Sequence, residues 1–244
     1  MIGSVIIDLD CVDSTNNYAA TELLTKSPLE GTVYLAACQQ AGRGQNQSVW
    51  ESENGLNLTF SIILYPGMLK VADQFLLSKA ISLGLTDFLA GYVDGISIKW
   101  PNDIYILDRK VAGVLIETAV SSGRFTHAII GIGLNINQQL FLSDAPNPVS
   151  LRNITGATYS LPEMLDQLCQ KLDHRYRQVR EGSLSQIDVE YEHLLYRNGK
   201  WANYRSGGEC FVGRITGVDP FGQLMIEYQQ GQKRSFDFKE VSFI

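Results

Sequence analysis

At 244 residues, the chain is long enough to bury one large core and to carry a second, smaller domain. Its apolar fraction of 45% and its charged fraction of 19% are typical of a globular protein. The formal net charge of −6 argues against a nucleic-acid partner, because binding phosphates requires a basic face. Four cysteines without a CxxC pair indicate free thiols in a reducing compartment and exclude a zinc cluster of the usual spacing. Without a signal peptide or a membrane-spanning run, we expect a cytoplasmic protein with no membrane partner.

The first predicted elements are a strand at Val5 to Leu9 and a helix that begins just after Ser14 and Thr15. Because the first strand starts so early, we expect no DNA-binding domain ahead of it. Hydroxyl side chains at the start of a helix usually cap its free N–H groups. Ser14 and Thr15 are therefore either caps alone or caps that also hydrogen-bond a polar ligand.

A glycine-rich loop follows the next predicted strand, Thr32 to Gln39. Gly42 and Gly44 flank Arg43, so successive backbone N–H groups can point the same way beside a permanent, forked positive charge. Such a loop suits a carboxylate or phosphate, although Gly-Arg-Gly also occurs in ordinary surface loops. No Walker lysine follows, which excludes a P-loop nucleotide site.

The segment from Ile96 to Glu117 contains the strongest local signal. Alternating apolar residues predict a strand that ends at Lys99 and Trp100, and Pro101-Asn102-Asp103 predicts a turn into a returning strand. A third strand, Lys110 to Glu117, contains Gly113, and an interior glycine marks a bulge or the close approach of another group. Taken alone, Lys99 is better explained as a solvated lysine on the outer face of the sheet.

Another glycine-containing strand end is predicted after Thr126 to Ile130, where Gly131 and Gly133 precede Asn135 and Asn137. The dinucleotide-binding fingerprint fails here because isoleucine stands where its last glycine is required. The two asparagines are either turn residues or ligand contacts.

Helices are predicted at Val71 to Ala90, at Pro162 to Arg180 after a Ser160/Glu163 capping box, and at Ile187 to Tyr196. After Asn198 the pattern changes to short strands separated by turn residues, which predicts a small all-β module. Isolated histidines and the absence of a GxSxG sequence give no support to a metal centre or a serine nucleophile.

The motifs AGRGQNQSVW, KWPNDI, KVAGVLIE and GIGLNIN, in this order, resemble the biotin–protein ligase family along nearly the whole chain. The resemblance implies an α+β fold, with a mixed, mainly antiparallel sheet packed with helices, like class II aminoacyl-tRNA synthetases. A small SH3-like β-barrel would follow it. We expect a catalytic domain at residues 1–196 and the barrel at residues 197–244.

The family joins biotin and MgATP into biotinyl-5′-AMP and then transfers biotin to a lysine of a biotin carboxyl carrier protein domain. The resemblance therefore implies ATP with its Mg²⁺ and biotin as substrates, no tightly bound cofactor, and a carboxylase carrier domain as partner. Because the predicted first strand begins at Val5, we expect a monofunctional ligase. A homodimer formed through an edge strand is compatible with the sequence.

Several site residues follow from the resemblance. Arg43 and Lys99 would be catalytic, holding the biotin carboxylate and the charge that builds on the phosphate. The residues expected around biotin are Ser14, Thr15, Asn16, Gln39, Gly42, Arg43, Gly44, Gln45, Lys99 and Gly113. Those expected around the nucleotide are Trp50, Asn102, Asn135 and Asn137, and Asp103 would either help to position Mg²⁺ or stabilise its turn.

The chain departs from the family where Gln45, Asn46 and Gln47 replace the further basic residues that usually follow Gly-Arg-Gly. We expect this loop to retain the reactive adenylate less well, which biotinylation of bystander proteins would measure. Two alternatives remain open: a lipoate or octanoate ligase of the same fold, and a non-catalytic biotin-binding protein. The KWPND sequence favours a biotin ligase over a lipoate or octanoate ligase. The presence of both Arg43 and Lys99 favours it over a non-catalytic protein.

Overall fold

The computed structural model describes residues 1–44, 49–143 and 146–244. Its strands are β1 (Ile6–Val12), β2 (Val33–Gln39), β3 (Leu58–Leu64), β4 (Ile96–Lys99), β5 (Asp103–Ile106), β6 (Arg109–Ser121), β7 (Arg124–Leu134), β8 (Trp201–Ser206), β9 (Glu209–Val218), β10 (Leu224–Tyr228), β11 (Lys233–Phe236) and β12 (Ser242–Phe243). Its helices are α1 (Thr15–Thr25), α2 (Phe75–Leu89), α3 (Leu151–Thr155), α4 (Leu161–Arg180) and α5 (Leu184–His193).

The larger sheet has the strand order β1-β2-β3-β7-β6-β5-β4. Only β1 and β2 pair in parallel among these neighbours, and the remaining pairs are antiparallel. The two long strands β6 and β7 form the centre of the sheet, and β1 and β4 are its edges. The sheet is therefore mixed and mainly antiparallel, as predicted.

Alternation along the central strands gives the sheet two different faces. On β3, Leu58, Phe60, Ile62 and Leu64 join the large core that α2 and α4 complete, whereas Ile63 belongs to a small cluster under α1. The helix α4 buries the predicted stripe of Leu165, Leu168, Leu172, Tyr176 and Val179 in the large core. The face under α1 is more polar, and it carries the candidate site.

The C-terminal module is a separate antiparallel sheet with the order β11-β10-β9-β8-β12. Its core includes Tyr204, Ile226 and Phe236, which are almost fully buried. Together with the mixed sheet and its helices, this second sheet confirms the predicted fold class.

Three local predictions differ from the structure, two of them entirely and one at its start. The strand β7 continues through Gly131 and Gly133 to Leu134, so these glycines lie inside a strand and not after its end. The predicted helix at 71–90 is confirmed over α2, but its first turn is a separate 3-10 turn, Val71–Asp73. Ser160 is the N-cap of α4 but makes no side-chain cap hydrogen bond, so the predicted capping box does not form.

Two elements lay outside the predictions. The strand β8 is short and partly exposed, and α3 spans only five residues. In the part of the chain that the structure describes, no helix is long and apolar enough to cross a membrane.

Candidate functional site

A cavity opens on the polar face of the larger sheet, between the start of α1, the chain that follows β2, and strands β5, β6 and β7. Its described lining comprises Ser14, Thr15, Asn16, Gln39, Arg43, Gly44, Val49, Trp50, Pro101, Asn102, Asp103, Lys110, Gly113, Val114, Leu115, Gly131, Ile132 and Gly133. Most of the residues predicted to bind a ligand therefore lie around one opening.

Three glycines form the floor of this cavity, and we call them the glycine floor: Gly113, Gly131 and Gly133. Gly113 pairs directly with Gly133 across β6 and β7, and Gly131 lies two residues away on the same face. A Cβ on Gly133 would lie 2.2 Å from the Trp50 indole, and one on Gly131 would lie 2.3 Å from the Asn16 amide oxygen. The backbone here must stay bare for neighbouring side chains to reach it.

One end of the cavity is neutral and polar, and its groups are tied together by hydrogen bonds. The Ser61 hydroxyl lies 2.6 Å from the Asn16 amide oxygen and 2.8 Å from the Thr15 hydroxyl. Because an amide oxygen can only accept, Ser61 donates to Asn16 and accepts the Thr15 proton. The Gln39 side-chain oxygen accepts from the Thr15 backbone N–H at 2.7 Å.

The other end carries charge. The Arg43 guanidinium lies 3.1 Å from Glu117, whose carboxylate also accepts from the Asn16 side chain at 2.7 Å. Both partners of this ion pair keep 40% of their side-chain surface exposed. An incoming anion can therefore compete with Glu117 for the guanidinium.

Lys110 supplies a second cation at the charged end, and sequence reasoning missed it. Its ammonium lies 2.7 Å from the Asp103 carboxylate and 5.7 Å from the centre of the Trp50 ring. The signal was present in the KVAGVLIE motif, which begins with this lysine. Its position at the start of a strand gave no indication of which face it would reach.

Lys99 lies beside the cavity, and the described lining does not include it. It pairs with Asp103 across β4 and β5, and Asp103 pairs with Gly113, so all three share one row across the sheet. The ammonium of Lys99 lies 3.1 Å from the Tyr105 hydroxyl and 5.2 Å from the centre of the Phe243 ring. Burial lowers the pKa of Lys99, and the positive charge of Lys110 lowers it further.

Trp50 rests on the glycine floor. A Cβ on Gly113 would lie 3.3 Å from its ring, and the Trp50 backbone N–H donates to the Gly42 carbonyl at 2.9 Å. Gly42 must stay bare, because a Cβ there would lie 2.6 Å from the Trp50 carbonyl oxygen. Among the described residues, the buried indole N–H of Trp50 has no hydrogen-bond partner.

The three asparagines expected near a nucleotide differ in their surroundings. Asn102 lines the cavity, and its side-chain amide donates to the Val114 carbonyl. Asn135 donates to the Val149 carbonyl at 3.1 Å, while Asn137 donates to the Tyr159 carbonyl at 2.9 Å. Asn135 and Asn137 are buried and hold neighbouring backbone in position, and the described lining of the cavity includes neither.

Two further predicted residues complete the comparison. Ser14 is buried in the lining and stands at the N-cap of α1 without a side-chain cap hydrogen bond. Gln45 and the rest of the divergent stretch, residues 45–48, lie outside the described residues.

Metal ligands are scarce around this cavity. Within residues 1–44, 49–143 and 146–244, no group of three or more His, Cys, Asp or Glu is arranged to hold a metal ion. Asp103, predicted either to help position Mg²⁺ or to stabilise its turn, is paired with an ammonium group. This donor set does not fit a resident metal.

The chemical character of the cavity thus changes along its length. A neutral hydrogen-bonding end suits an uncharged polar head, the glycine floor admits a flat or fused ring, and the charged end suits a carboxylate and a phosphate. A small acid that is activated at its carboxylate would match this order of groups.

Comparison with known proteins agrees with this arrangement. Residues 9–135 match the biotin/lipoate A/B protein ligase family. The bifunctional ligase/repressor BirA of Bacillus spizizenii is 31% identical over 97% of this chain and 73% of its own length. The biotin–[acetyl-CoA-carboxylase] ligase of Paracoccus denitrificans is 30% identical over 91% of this chain and 93% of its own.

Among solved structures, the biotin protein ligase of Aquifex aeolicus in complex with biotin and ATP superposes with a TM-score of 0.82. It is 26% identical, and the superposition covers 99% of each chain. With the family model matching more than half of its length, this chain belongs to the biotin/lipoate A/B protein ligase family.

Proposed function

We propose that the protein is an ATP-dependent biotin–protein ligase. It activates biotin to biotinyl-5′-AMP with release of pyrophosphate, and then transfers the biotinyl group to a lysine of a biotin carboxyl carrier protein domain. The observation that carries this proposal is the order of groups in the cavity: a neutral polar end, the glycine floor, and a charged end with Arg43 and Lys110.

The neutral end binds the cyclic urea of biotin, which has two N–H donors and one carbonyl acceptor. The proton of the Thr15 hydroxyl is directed to Ser61, so the Thr15 oxygen is left to accept from a ligand N–H. Burying a urea without partners is unfavourable by a few kcal/mol per group, and this end therefore selects biotin over an acid with an apolar head.

The charged end binds the biotin carboxylate and the α-phosphate. The carboxylate oxygen attacks the α-phosphorus, the bond to pyrophosphate breaks, and negative charge accumulates on the phosphoryl oxygens. Arg43 and Lys110 stabilise this charge because both cations are held in advance by Glu117 and Asp103. In the second step the carrier lysine attacks the acyl carbon, and AMP leaves.

Lys99 was predicted to be the catalytic lysine, and we now assign that role to Lys110. Lys99 lies in the same row across the sheet as Asp103, one strand further from the cavity. Its positive charge adds to the electrostatic potential at the nucleotide end of the cavity. Trp50 and Asn102 line the part of the cavity that the adenylate would occupy, which supports their contact with the nucleotide. Asn135 and Asn137 act as supports of the surrounding backbone.

Magnesium enters as the metal of ATP in this proposal, bound to the phosphates of the substrate. Magnesium keeps several waters and uses one or two carboxylates beside substrate phosphates, so a dedicated protein cage is unnecessary. Asp103 is the carboxylate in the cavity lining that is available for this role, and it forms an ion pair with Lys110.

The carrier domain docks where the cavity opens. We propose a boundary at 196/197 between a catalytic domain and an SH3-like domain, because the second sheet begins at Trp201 and, in the described part of the chain, shares no strand with the larger sheet. At the opening of the cavity, the acyl carbon of biotinyl-5′-AMP is accessible to a lysine on a separate protein.

Pyrophosphate exchange into ATP tests the proposal. Biotin should support the exchange, lipoate and octanoate should support it poorly, and a carrier domain should gain the mass of one biotinyl group. Exchange with lipoate in place of biotin would identify the alternative ligase of the same fold. Biotin binding without any exchange would identify a non-catalytic biotin-binding protein.

A further inference from the structure

Two cysteines face each other at one end of the larger sheet. Cys11 of β1 and Cys38 of β2 are direct partners in the parallel pairing of these strands. Register partners in a parallel pair project their side chains to the same face. The preceding partners on this face are Leu9 with Ala36 and Ile7 with Tyr34, and the side chains of Ile7, Leu9 and Tyr34 belong to the small cluster under α1.

The spacing of the two paired strands suits a covalent bridge. Neighbouring strands lie about 4.7–4.9 Å apart, within the 4.4–6.8 Å range of Cα separations in disulfides. The Cβ atoms of a disulfide lie about 3.8 Å apart, so closing the bridge must draw these strand ends slightly together.

The two thiols also differ in access. Cys11 is exposed at an edge strand, whereas Cys38 is only partly exposed. Hydrogen bonding to the Cys11 thiol raises the pKa of Cys38. The remaining cysteines are elsewhere: Cys169 is buried in the core, where burial raises its pKa to about 12, and Cys210 is on β9 of the second sheet.

We propose that Cys11 and Cys38 form a dithiol modification site that reacts with low-molecular-weight disulfides and closes to an intramolecular disulfide. The reaction needs no group beyond the two thiols and the external disulfide, which is the oxidant.

The steps balance as a thiol–disulfide exchange. The Cys11 thiolate attacks one sulfur of the external disulfide, which forms a mixed disulfide and releases one thiolate. The Cys38 thiolate then attacks the Cys11 sulfur, forms the protein disulfide and releases the second thiolate. The chain loses two electrons and two protons, and the external disulfide is reduced to two thiols.

Closure of this bridge acts on the neutral end of the cavity. Cys38 immediately precedes Gln39, whose side chain accepts from the Thr15 backbone N–H. Just after Cys11, the carbonyls of Val12 and Asp13 accept from the backbone N–H groups of Gln40 and Ala41, at 2.8 and 2.9 Å. A shift of either strand end therefore changes the geometry of the groups that we propose for the urea.

Oxidised glutathione tests the site directly on the full chain. After incubation, the remaining thiols are alkylated in denaturant, so that buried Cys169 also reacts. The intact mass should then show two alkyl groups in place of four, and the chain itself should be two hydrogens lighter. Peptide mapping should then find the Cys11 and Cys38 peptides linked. Cys11→Ser and Cys38→Ser should each retain one glutathione as a stable adduct on the remaining partner, and Cys210→Ser should behave like the wild type.

The proposal fails if all four thiols stay available for alkylation, or if Cys11 keeps a glutathione adduct without linkage to Cys38. Linkage of Cys11 to Cys210 would overturn it as well. Peptide mapping on the wild-type chain requires no variant, so a folding defect in a serine variant cannot obscure the result.

The effect on ligand binding rests on the proposed function, and a separate measurement tests it. The oxidised chain should bind biotin about 2–10-fold more weakly, the factor expected for the loss of one neutral hydrogen bond. Reduction should restore the affinity, and the Cys11→Ser/Cys38→Ser double variant should not respond to the oxidant. If the reduced chain binds no biotin, the proposed function fails while the mass result still decides the dithiol.

Discussion

The most informative difference at the scale of single residues is that between two lysines on one face of the sheet. Lys110 lines the cavity and pairs with Asp103, whereas Lys99 contacts Tyr105 and Phe243 just outside it. The register between β5 and β6 shifts between Ile104 and Tyr105. Such a bulge re-aims side chains locally, and no alternation pattern in the sequence predicts it.

The two lysines should therefore respond differently to the same substitution. Lys110→Gln should slow biotin-dependent pyrophosphate exchange by about 10²–10³, the scale for the loss of one preorganised charge donor. Lys99→Gln should slow it by roughly tenfold or less, because its charge acts from a greater distance. Thermal unfolding of both variants would control for stability, and a larger defect in Lys99→Gln would restore Lys99 to the catalytic role.

A methyl group on the glycine floor should disturb the cavity through Trp50. In Gly133→Ala, the new Cβ would meet the indole at 2.2–2.6 Å, so the ring must move. We expect a destabilisation of about 1–3 kcal/mol from overpacking and a change in tryptophan fluorescence.

Gly67→Ala is the matched control for this change. Nothing lies within 4 Å of a Cβ at Gly67, and its stability and fluorescence should stay close to those of the wild type. Unchanged fluorescence in Gly133→Ala would mean that the indole does not rest on the floor.

At the scale of elements, the sequence predicted most strands and helices but not their pairing. The alternation at Ile96 to Trp100 and the apolar stripe of α4 arise because each element is buried on one side. One-sided burial leaves a periodic pattern within a single segment of the sequence. The row that joins Lys99, Asp103, Gly113 and Gly133 depends on four strands aligned by their register. Each glycine could be suspected of a close contact, but only the pairing reveals that they form one floor.

One contact between elements links the C-terminal sheet to the turn after β4. The buried indole N–H of Trp100 donates to the Gly222 carbonyl at 2.9 Å, and its ring lies 5.2 Å from that of Phe238. Trp100 immediately precedes the turn that carries Asn102 and Asp103 into the cavity. The second sheet therefore helps to hold that turn.

Removal of this donor should weaken the link between the two sheets. Trp100→Phe keeps an aromatic ring but leaves the Gly222 carbonyl without its partner, and we expect a loss of about 1–3 kcal/mol in the free energy of unfolding. Trp201→Phe, on an exposed side chain of β8, should change it by less than about 0.5 kcal/mol. Equal effects of the two substitutions in urea unfolding would contradict this role of Trp100.

At the scale of the whole molecule, acid should destabilise the fold through carboxylates that the native structure holds in their charged form. Burial opposes the charged form of Glu51, but hydrogen bonds from Ser143, Leu142 and Gln138 prevail, and the pKa of Glu51 lies below its ordinary value. The backbone N–H groups of Leu142 and Ser143 lie 2.7 and 2.9 Å from this carboxylate. Glu51 directly follows Trp50, so it connects the cavity to the segment around residue 142.

The sign of the pH effect follows from this lowered pKa. Between the folded pKa and the ordinary value near 4.5, the unfolded chain binds more protons than the folded chain. The stabilising contribution of Glu51 is therefore complete above this window and is lost as the pH falls through the folded pKa. We expect the free energy of unfolding in urea to decrease between about pH 6 and about pH 3. Glu51→Gln should reduce that decrease, whereas the same change at exposed Glu53 should not. If the wild type and Glu51→Gln depended identically on pH, Glu51 would be excluded as a source of acid sensitivity.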